Sequence, residues 1–325
     1  MKIKPDYQLS VLHEEDFKQK MSEISAQLSK CRKEGSFQGF DGQKLYYEFF
    51  QAQDSRGAVV VVHGLSEFTG KYHEFAWYLL NQGYDVFLYD QRGHGRSCRL
   101  TERLDLIHVE HFSHYWKDLD CFVKDVVQPN TAGPLYLYAH SMGGAVGAQY
   151  LANRPKVFRK AVLSAPMIRP LTGKISPAVA WLGLKACVLF GAGKKQFWDC
   201  KEFDPNYPFE RSHDKSRARF ERNMEARLQE PCCCTTPQTI RWIQQAVSVY
   251  GGLTRKGFLR KIETPVLVIS AETDDAVCNK AHEKFARNCP ACQRIVQPEA
   301  THSMLCGTQE DVTAHLRAVL EHFDC

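Results

Sequence analysis

The sequence predicts an α/β fold: a mostly parallel sheet with helices on both faces, interrupted by a helical insertion. Three observations carry this. Short continuous apolar runs, such as AVVVVHG at 58–64, recur along the chain. Such a run suits a strand covered on both faces, because neither face meets water. These runs alternate with segments of helical period, as in the repeating strand–helix units of a parallel sheet. The alternation breaks off after Pro166 and resumes at Thr264.

Residues 1–36 are polar, and DFKQKMSEISAQLSKCRKEG reads as a helix closing on Gly35 as its C-cap. The first core part, 37–166, opens with the strand LYYEFF (45–50) and the strand 58–64. The helix KYHEFAWYLLNQG (71–83) ends on glycine and leads into the strand YDVFLYD (84–90). HYWKDLDCFVKDVV (114–127) has helical period and stops before Pro129. The strand PLYLYAH (134–140) runs into the helix SMGGAVGAQYLANR, and KAVLSAP (160–166) is a fourth buried strand. Residues 167–240 hold no strand signal. They carry the apolar stretch SPAVAWLGLKACVLFGAG and the polar helix RSHDKSRARFERNMEARL (211–228), a cap over the core. The second core part, 241–325, contains the strand TPVLVISAE (264–272), the helix NKAHEKFARNC (279–289), the strand QRIVQ (293–297) and the helix EDVTAHLRAVLEHF (310–323). The insertion enters at a strand's C-terminal end, where open α/β sheets bind ligands.

Apolar residues make up 44% of the 325, enough for a sizeable core. A net charge of +5, with no basic run carrying interleaved aromatics, argues against a nucleic-acid partner. It is compatible with peripheral contact with the anionic inner surface of a membrane. No run of 18 apolar residues is present, so no spanning helix is expected. The N-terminus shows no signal-peptide pattern. The 13 cysteines are therefore expected to be reduced thiols of a cytoplasmic protein. PCCCTT and the Cys289–Cys292 pair lack the second half of a zinc site and are expected to pack rather than to bind metal.

The motif Ala139-His140-Ser141-Met142-Gly143 falls between a buried strand and a helix. That is where a nucleophile elbow presents a catalytic serine, and the tight turn needs small residues two places either side of it. Gly143 and Ala139 are small enough. The alternative is a strand-to-helix turn with an incidental serine. An elbow serine requires an acid and then a histidine later in the chain. The histidines after Ser141 are 213, 282, 302, 315 and 322. His213 lies in the insertion, and His282, His315 and His322 lie on helices, where solvated positions are expected. Only His302, in PEATHSMLCG, stands in a loop just past a strand. In ISAETDDAVCN, Asp274 fits the frame of small residue, acid and apolar pair better than its neighbour Asp275. The oxyanion needs two backbone N–H donors. Met142 follows the serine, and Leu65 lies in the loop that His63 and Gly64 shape after the strand 58–64. None of this requires a metal or an organic cofactor.

With these residues in place, VVVHGLSEFTGKYHEFAWYLLNQGYDVFLYDQRGHGRS and LYAHSMGGA make the chain resemble the serine α/β-hydrolases of the monoacylglycerol lipase and lysophospholipase branch. HVEHFSHYWKDLDCFVKDVVQP, LSAPM and AVCNKAHEKF are similar to the L-two type of bacterial lysophospholipase. The resemblance spans nearly everything from about residue 37. It implies an eight-stranded α/β-hydrolase core with a lid, Ser141 as nucleophile, Asp274 as acid and His302 as base. It also implies hydrolysis of the acyl ester of a lysophospholipid or another single-chain lipid ester, or acyl transfer from it. Alanine at the position of Ala139 is shared with that group, and some of its members carry glutamate as the acid. The insertion is the least similar region and would set substrate choice. Its apolar stretch could line an acyl pocket, rest on a bilayer or be an ordinary buried helix. RSHDKSRARFER could hold a phosphate or be a solvated face.

Overall fold

The computed structural model describes residues 7–171 and 175–324. Positions 1–6 of the expected N-terminal segment, 172–174 of the expected cap and Cys325 lie outside them.

Strands β1 (Lys33–Gln38), β2 (Lys44–Phe50), β3 (Ala58–Val62), β4 (Asp85–Tyr89), β5 (Leu135–His140), β6 (Lys160–Ser164), β7 (Val266–Ala271) and β8 (Cys292–Gln297) form one sheet. Their order is β1-β2-β4-β3-β5-β6-β7-β8. β1 and β2 are antiparallel, β2 and β4 likewise, and every later pairing is parallel. β3 shows why the apolar runs become central strands. All five of its residues are buried, and they alternate between two cores. Ala58, Val60 and Val62 enter one core, and Val59 and Val61 the other.

Helices α1 (Phe17–Cys31), α2 (His73–Asn81) and α10 (Gln309–Asp324) cover one face. Helices α3 (Ser113–Phe122), α4 (Met142–Asn153), α7 (Ile240–Leu253) and α9 (Asn279–Asn288) cover the other. Between β6 and β7 the chain leaves to form α5 (Pro177–Cys187) and α6 (Arg217–Gln229), then returns through α7 and the short α8 (Lys256–Leu259). Among the described residues, the segment 167–240 contributes no strand to the sheet.

Three expectations are corrected, and one helix without a sequence signal is added. Gly35 does not cap α1: the helix ends at Cys31, and Gly35 lies inside the edge strand β1, which crosses the expected boundary at 36. Only Phe37 of that strand is buried, so its sequence reads as polar coil. Segment 114–127 is α-helical only to Phe122, and a wider turn carries it on through Val127. His282 and His315 are fully buried rather than solvated. His282 Nε2 donates to the Pro166 carbonyl at 2.7 Å, and His315 bonds Tyr138 Oη at 2.9 Å. Finally, α7 was not distinguished in the sequence. It buries Trp242, Ala246 and Val249 in the main core while Ile240 and Val247 pack in a separate small cluster with Leu184 of α5. A helix covered on two sides shows no single apolar stripe.

α1 buries Phe17, Met21, Ile24 and Leu28, a stripe of helical period that seals it onto the core. The described cysteines are all free thiols, four of them buried.

Candidate active site

The site forms at the C-terminal ends of β3, β5, β7 and β8. Ser141 stands between β5 and α4 with φ 51° and ψ −118°, a strained conformation for a residue with a Cβ. Two bonds brace it against the end of β6: its N–H donates to the Ser164 carbonyl at 3.0 Å, and its carbonyl accepts from Met167 N–H at 2.8 Å. The tightness of the turn explains its small residues. A Cβ on Gly143 would collide with the Val62 carbonyl oxygen and stand 2.6 Å from that of His63. The fully buried Ala139 fits on the other side.

β7 and β8 are paired up to Ala271 and Gln297, so their following loops emerge side by side. Thr273 ties those loops together, donating from N–H at 3.1 Å and from its hydroxyl at 2.8 Å to the Ala300 carbonyl. This sets Asp274 against His302. Their closest approach is 2.9 Å, from His302 Nδ1 to Asp274 Oδ2. His302 Nε2 is 2.8 Å from Ser141 Oγ. Asp274 Oδ1 also accepts the N–H groups of Ala276 and Val277, each at 3.0 Å. Asp275 points away, exposed, and pairs with His213 at 2.9 Å. The structure thus brings Ser141, Asp274 and His302 into one chain and leaves Asp275 outside it.

The electrostatics suit a base at neutral pH. Burial lowers the His302 pKa below its ordinary value and outweighs the carboxylate beside it. Burial alone would raise Asp274, but the His302 ring and the two backbone N–H groups hold its carboxyl below the usual range. Asp274 therefore stays ionised and His302 neutral, with Nδ1–H toward the acid and Nε2 free to accept from the serine.

Leu65 and Met142 flank this centre. Met142 is the first residue of α4, where backbone N–H groups lack intrahelical acceptors. Among the described residues, Leu65 N–H likewise has no acceptor. The loop holding Leu65 is fixed from beneath. His63 Nδ1 donates to the Gly64 carbonyl at 2.7 Å, and its Nε2 accepts from Gln91 N–H at 2.9 Å. That arrangement requires a neutral ring, and burial lowers its pKa to about 4.

The sequence reading missed one further group. Glu67 Oε2 accepts from Gly64 N–H at 2.5 Å and Tyr72 Oη at 2.6 Å, and lies 3.2 Å from His140 Nδ1. Its Oε1 meets Lys71 Nζ at 2.6 Å. Burial opposes the Glu67 charge, yet Lys71 and His140 hold its pKa well below the ordinary value. His140 Nε2 in turn reaches the His302 carbonyl at 3.1 Å. One buried carboxylate thus links the loop after β3 and the elbow to the loop of the base. The Glu67–Lys71 spacing was visible in the sequence, but the contact of three distant loops was not.

A cavity of roughly 490 Å³ is lined by Ser66 and Phe68, by Ser303 next to His302 in sequence, and by side chains of the segment 167–240 including Phe203, Met224 and Arg227. Among the described residues, no group of three or more His, Cys, Asp or Glu is arranged to hold a metal ion.

Comparison with known proteins shows the family and the fold. Residues 53–309 match the family described as "Serine aminopeptidase, S33". The chain is 31% identical over 262 residues to lysophospholipase L2 of Escherichia coli, covering 78% of this chain and 74% of that protein. It is 32% identical over 153 residues to the monoacylglycerol lipase of Mycolicibacterium smegmatis, covering 47% and 52%. Among solved structures, a monoglyceride lipase from Saccharomyces cerevisiae superposes with a TM-score of 0.72 at 21% identity, covering 90% of this chain and 94% of that one. The eight-stranded sheet, the strained serine at its centre and the match across most of the chain agree: this chain belongs to the serine aminopeptidase S33 family and has the α/β-hydrolase fold.

Proposed function

We propose that this chain hydrolyses the acyl ester of lysophospholipids, releasing a fatty acid through an acyl-enzyme on Ser141. It is a serine ester hydrolase, and the observation that carries the mechanism is the chain of contacts from Asp274 through His302 to Ser141 Oγ. Ser141 Oγ attacks the ester carbonyl carbon while His302 Nε2 takes its proton. The Leu65 and Met142 N–H groups receive the oxyanion, and Asp274 stabilises the imidazolium without taking the proton. The tetrahedral species collapses, and His302 returns the proton to the departing glycerol oxygen. Water then attacks the acyl-enzyme with His302 again as base, and Ser141 is regenerated.

The substrate class is supported by the relatives, one named a lysophospholipase and others monoglyceride lipases. In the organisation we assign, the core parts 37–166 and 241–325 carry the chemistry, and the cap 167–240 selects the substrate. The cap also offers a membrane-facing surface for peripheral contact with the inner membrane. Val179, Leu182, Leu189 and Phe190 project from α5 and the turn after it, with Phe190 91% exposed. Exposed apolar side chains of this kind suit a bilayer interface. Among the described residues, no helix is long and apolar enough to cross a membrane.

A panel of lysophosphatidylcholine, monoolein, p-nitrophenyl butyrate and an aminoacyl-naphthylamide tests the proposal. We expect kcat/KM to be highest for lysophosphatidylcholine. Preference for monoolein would select the monoacylglycerol lipase reading, and turnover of the naphthylamide alone would select an aminopeptidase.

A further inference from the structure

Among the described residues, three cations line the cavity under the cap without an ion-pair partner: Lys201 and Arg211, both exposed, and Arg227. Arg227, near the end of α6, is half-buried and lines it. Its guanidinium donates to the Ser66 carbonyl and lies 5.6 Å from the centre of the Phe203 ring. On the same helix, Arg219 pairs with Glu74 at 2.7 Å and Arg217 with Glu210 at 2.6 Å. Among the described residues Arg222 bonds only the Gly70 carbonyl, and it does not line this cavity. Among the described residues, no carboxylate forms an ion pair with Arg227. The acids of the cavity wall leave it so. Glu202 is engaged by Arg103 at 2.9 Å and Asp204 accepts Asn206 N–H at 2.9 Å, while Asp214 and the Lys71-paired Glu67 act on Arg227 through their fields without an ion pair.

Position matters as much as charge. Ser66 directly follows Leu65, the oxyanion donor, and Ser66 is itself held at φ 59°. A guanidinium seated on the Ser66 carbonyl therefore sits next to the loop that supplies the oxyanion donor. In a 1-acyl lysophospholipid, the phosphorus is about six bonds, or roughly 7 Å, from the ester carbon. The planar guanidinium presents paired N–H donors that match a phosphate's oxygens.

We propose that Arg227 is the headgroup-recognition residue of this site, holding the phosphodiester of a lysophospholipid while its ester lies at Ser141. The inference rests on the lipid-ester reading above and adds the residue that separates a lysophospholipid from a monoacylglycerol. A monoacylglycerol has only a hydroxyl to offer there.

The test compares R227Q, R227M and R227K with the wild type on 1-oleoyl-lysophosphatidylcholine and 1-monooleoylglycerol, below their micellar concentrations. The readout is the ratio of the two kcat/KM values. It cancels any disturbance of the oxyanion loop through Ser66, which both esters feel alike. The ratio should fall at least about 10-fold in R227Q and R227M, the loss expected for a charge-assisted hydrogen bond, and recover partly in R227K. A second measurement uses the wild type alone. The hydrolysis-resistant ether 1-O-hexadecyl-glycerophosphocholine should inhibit p-nitrophenyl butyrate turnover at least about 10-fold more tightly than 1-O-hexadecylglycerol. Millimolar inorganic phosphate should compete far less than the ether phospholipid. An unchanged ratio in both charge-removing variants, or equal inhibition by the two ethers, would overturn the proposal. Phosphate competing as well as the ether phospholipid would also overturn it, in favour of a free-anion site. A wild type that hydrolyses p-nitrophenyl butyrate but neither lipid would remove the lipid reading beneath it.

Discussion

Replacing Asp274 by Asn tests the roles assigned to the triad, because the structure dictates which way the new amide must face. Asp274 Oδ1 accepts two backbone N–H groups, from Ala276 and Val277, each at 3.0 Å. An asparagine keeps those bonds only by turning its oxygen to them, so its NH2 group faces His302 Nδ1. That nitrogen must then accept, and the ring proton moves to Nε2, 2.8 Å from Ser141 Oγ. The base is present but occupied. An inverted imidazole of this kind costs about 10⁴-fold in kcat, or about 5.5 kcal/mol of barrier. Steady-state turnover of p-nitrophenyl butyrate should show that loss in kcat, with KM and the unfolding midpoint little changed. The adjacent Asp275→Asn removes only an exposed pair with His213 and should stay within about threefold of wild type. Asp274→Asn retaining a tenth of wild-type kcat, or Asp275→Asn being the more damaging change, would refute the reasoning.

Three further outcomes follow from the same geometry. Gly143→Ala places a methyl against the Val62 and His63 carbonyls and should destabilise by about 1–3 kcal/mol in a urea titration and depress kcat; unchanged stability and rate would count against the close approach. His63 and His282 have pKa values near 4, and His315 near 3, because all are buried. Their unfolded counterparts bind protons near 6.5, so stability is full above that pH and falls as pH drops toward 4, at about 1.4 kcal/mol per pH unit for each ring; a melting temperature flat from pH 7 to 4.5 would contradict this. Leu189→Ser with Phe190→Ser should weaken binding to anionic vesicles at least about 10-fold, since each buried apolar side chain contributes about 1.5–3 kcal/mol; equal co-sedimentation of variant and wild type would refute the membrane face.

What the sequence made legible follows physical lines. Central strands such as β3 and β5 are apolar at every position because both faces are covered, and that needs no tertiary knowledge to read. Ser141, Asp274 and His302 were legible because each follows its own strand, and a parallel sheet gathers those ends on one side. β1 was not, since a one-sided edge strand with a single buried residue carries almost no pattern. His282 and His315 were misjudged as solvated, although His315 shares its face with the buried Val312, Leu316 and Val319. Their burial depends on hydrogen bonds to Pro166 and Tyr138, contacts across distant parts of the chain. The Glu67 network and Arg227 were hidden for the same reason: each joins segments that meet only after folding.

The central claim is that Ser141 is a nucleophile activated by His302, and covalent labelling reads it directly. Incubation with a fluorophosphonate, followed by intact-mass and peptide analysis, should give one adduct per chain, on Ser141. The adduct should be absent from Ser141→Ala and strongly slowed in Asp274→Asn. A folded wild-type protein that takes no label, or a Ser141→Ala variant labelled like the wild type, would contradict the account.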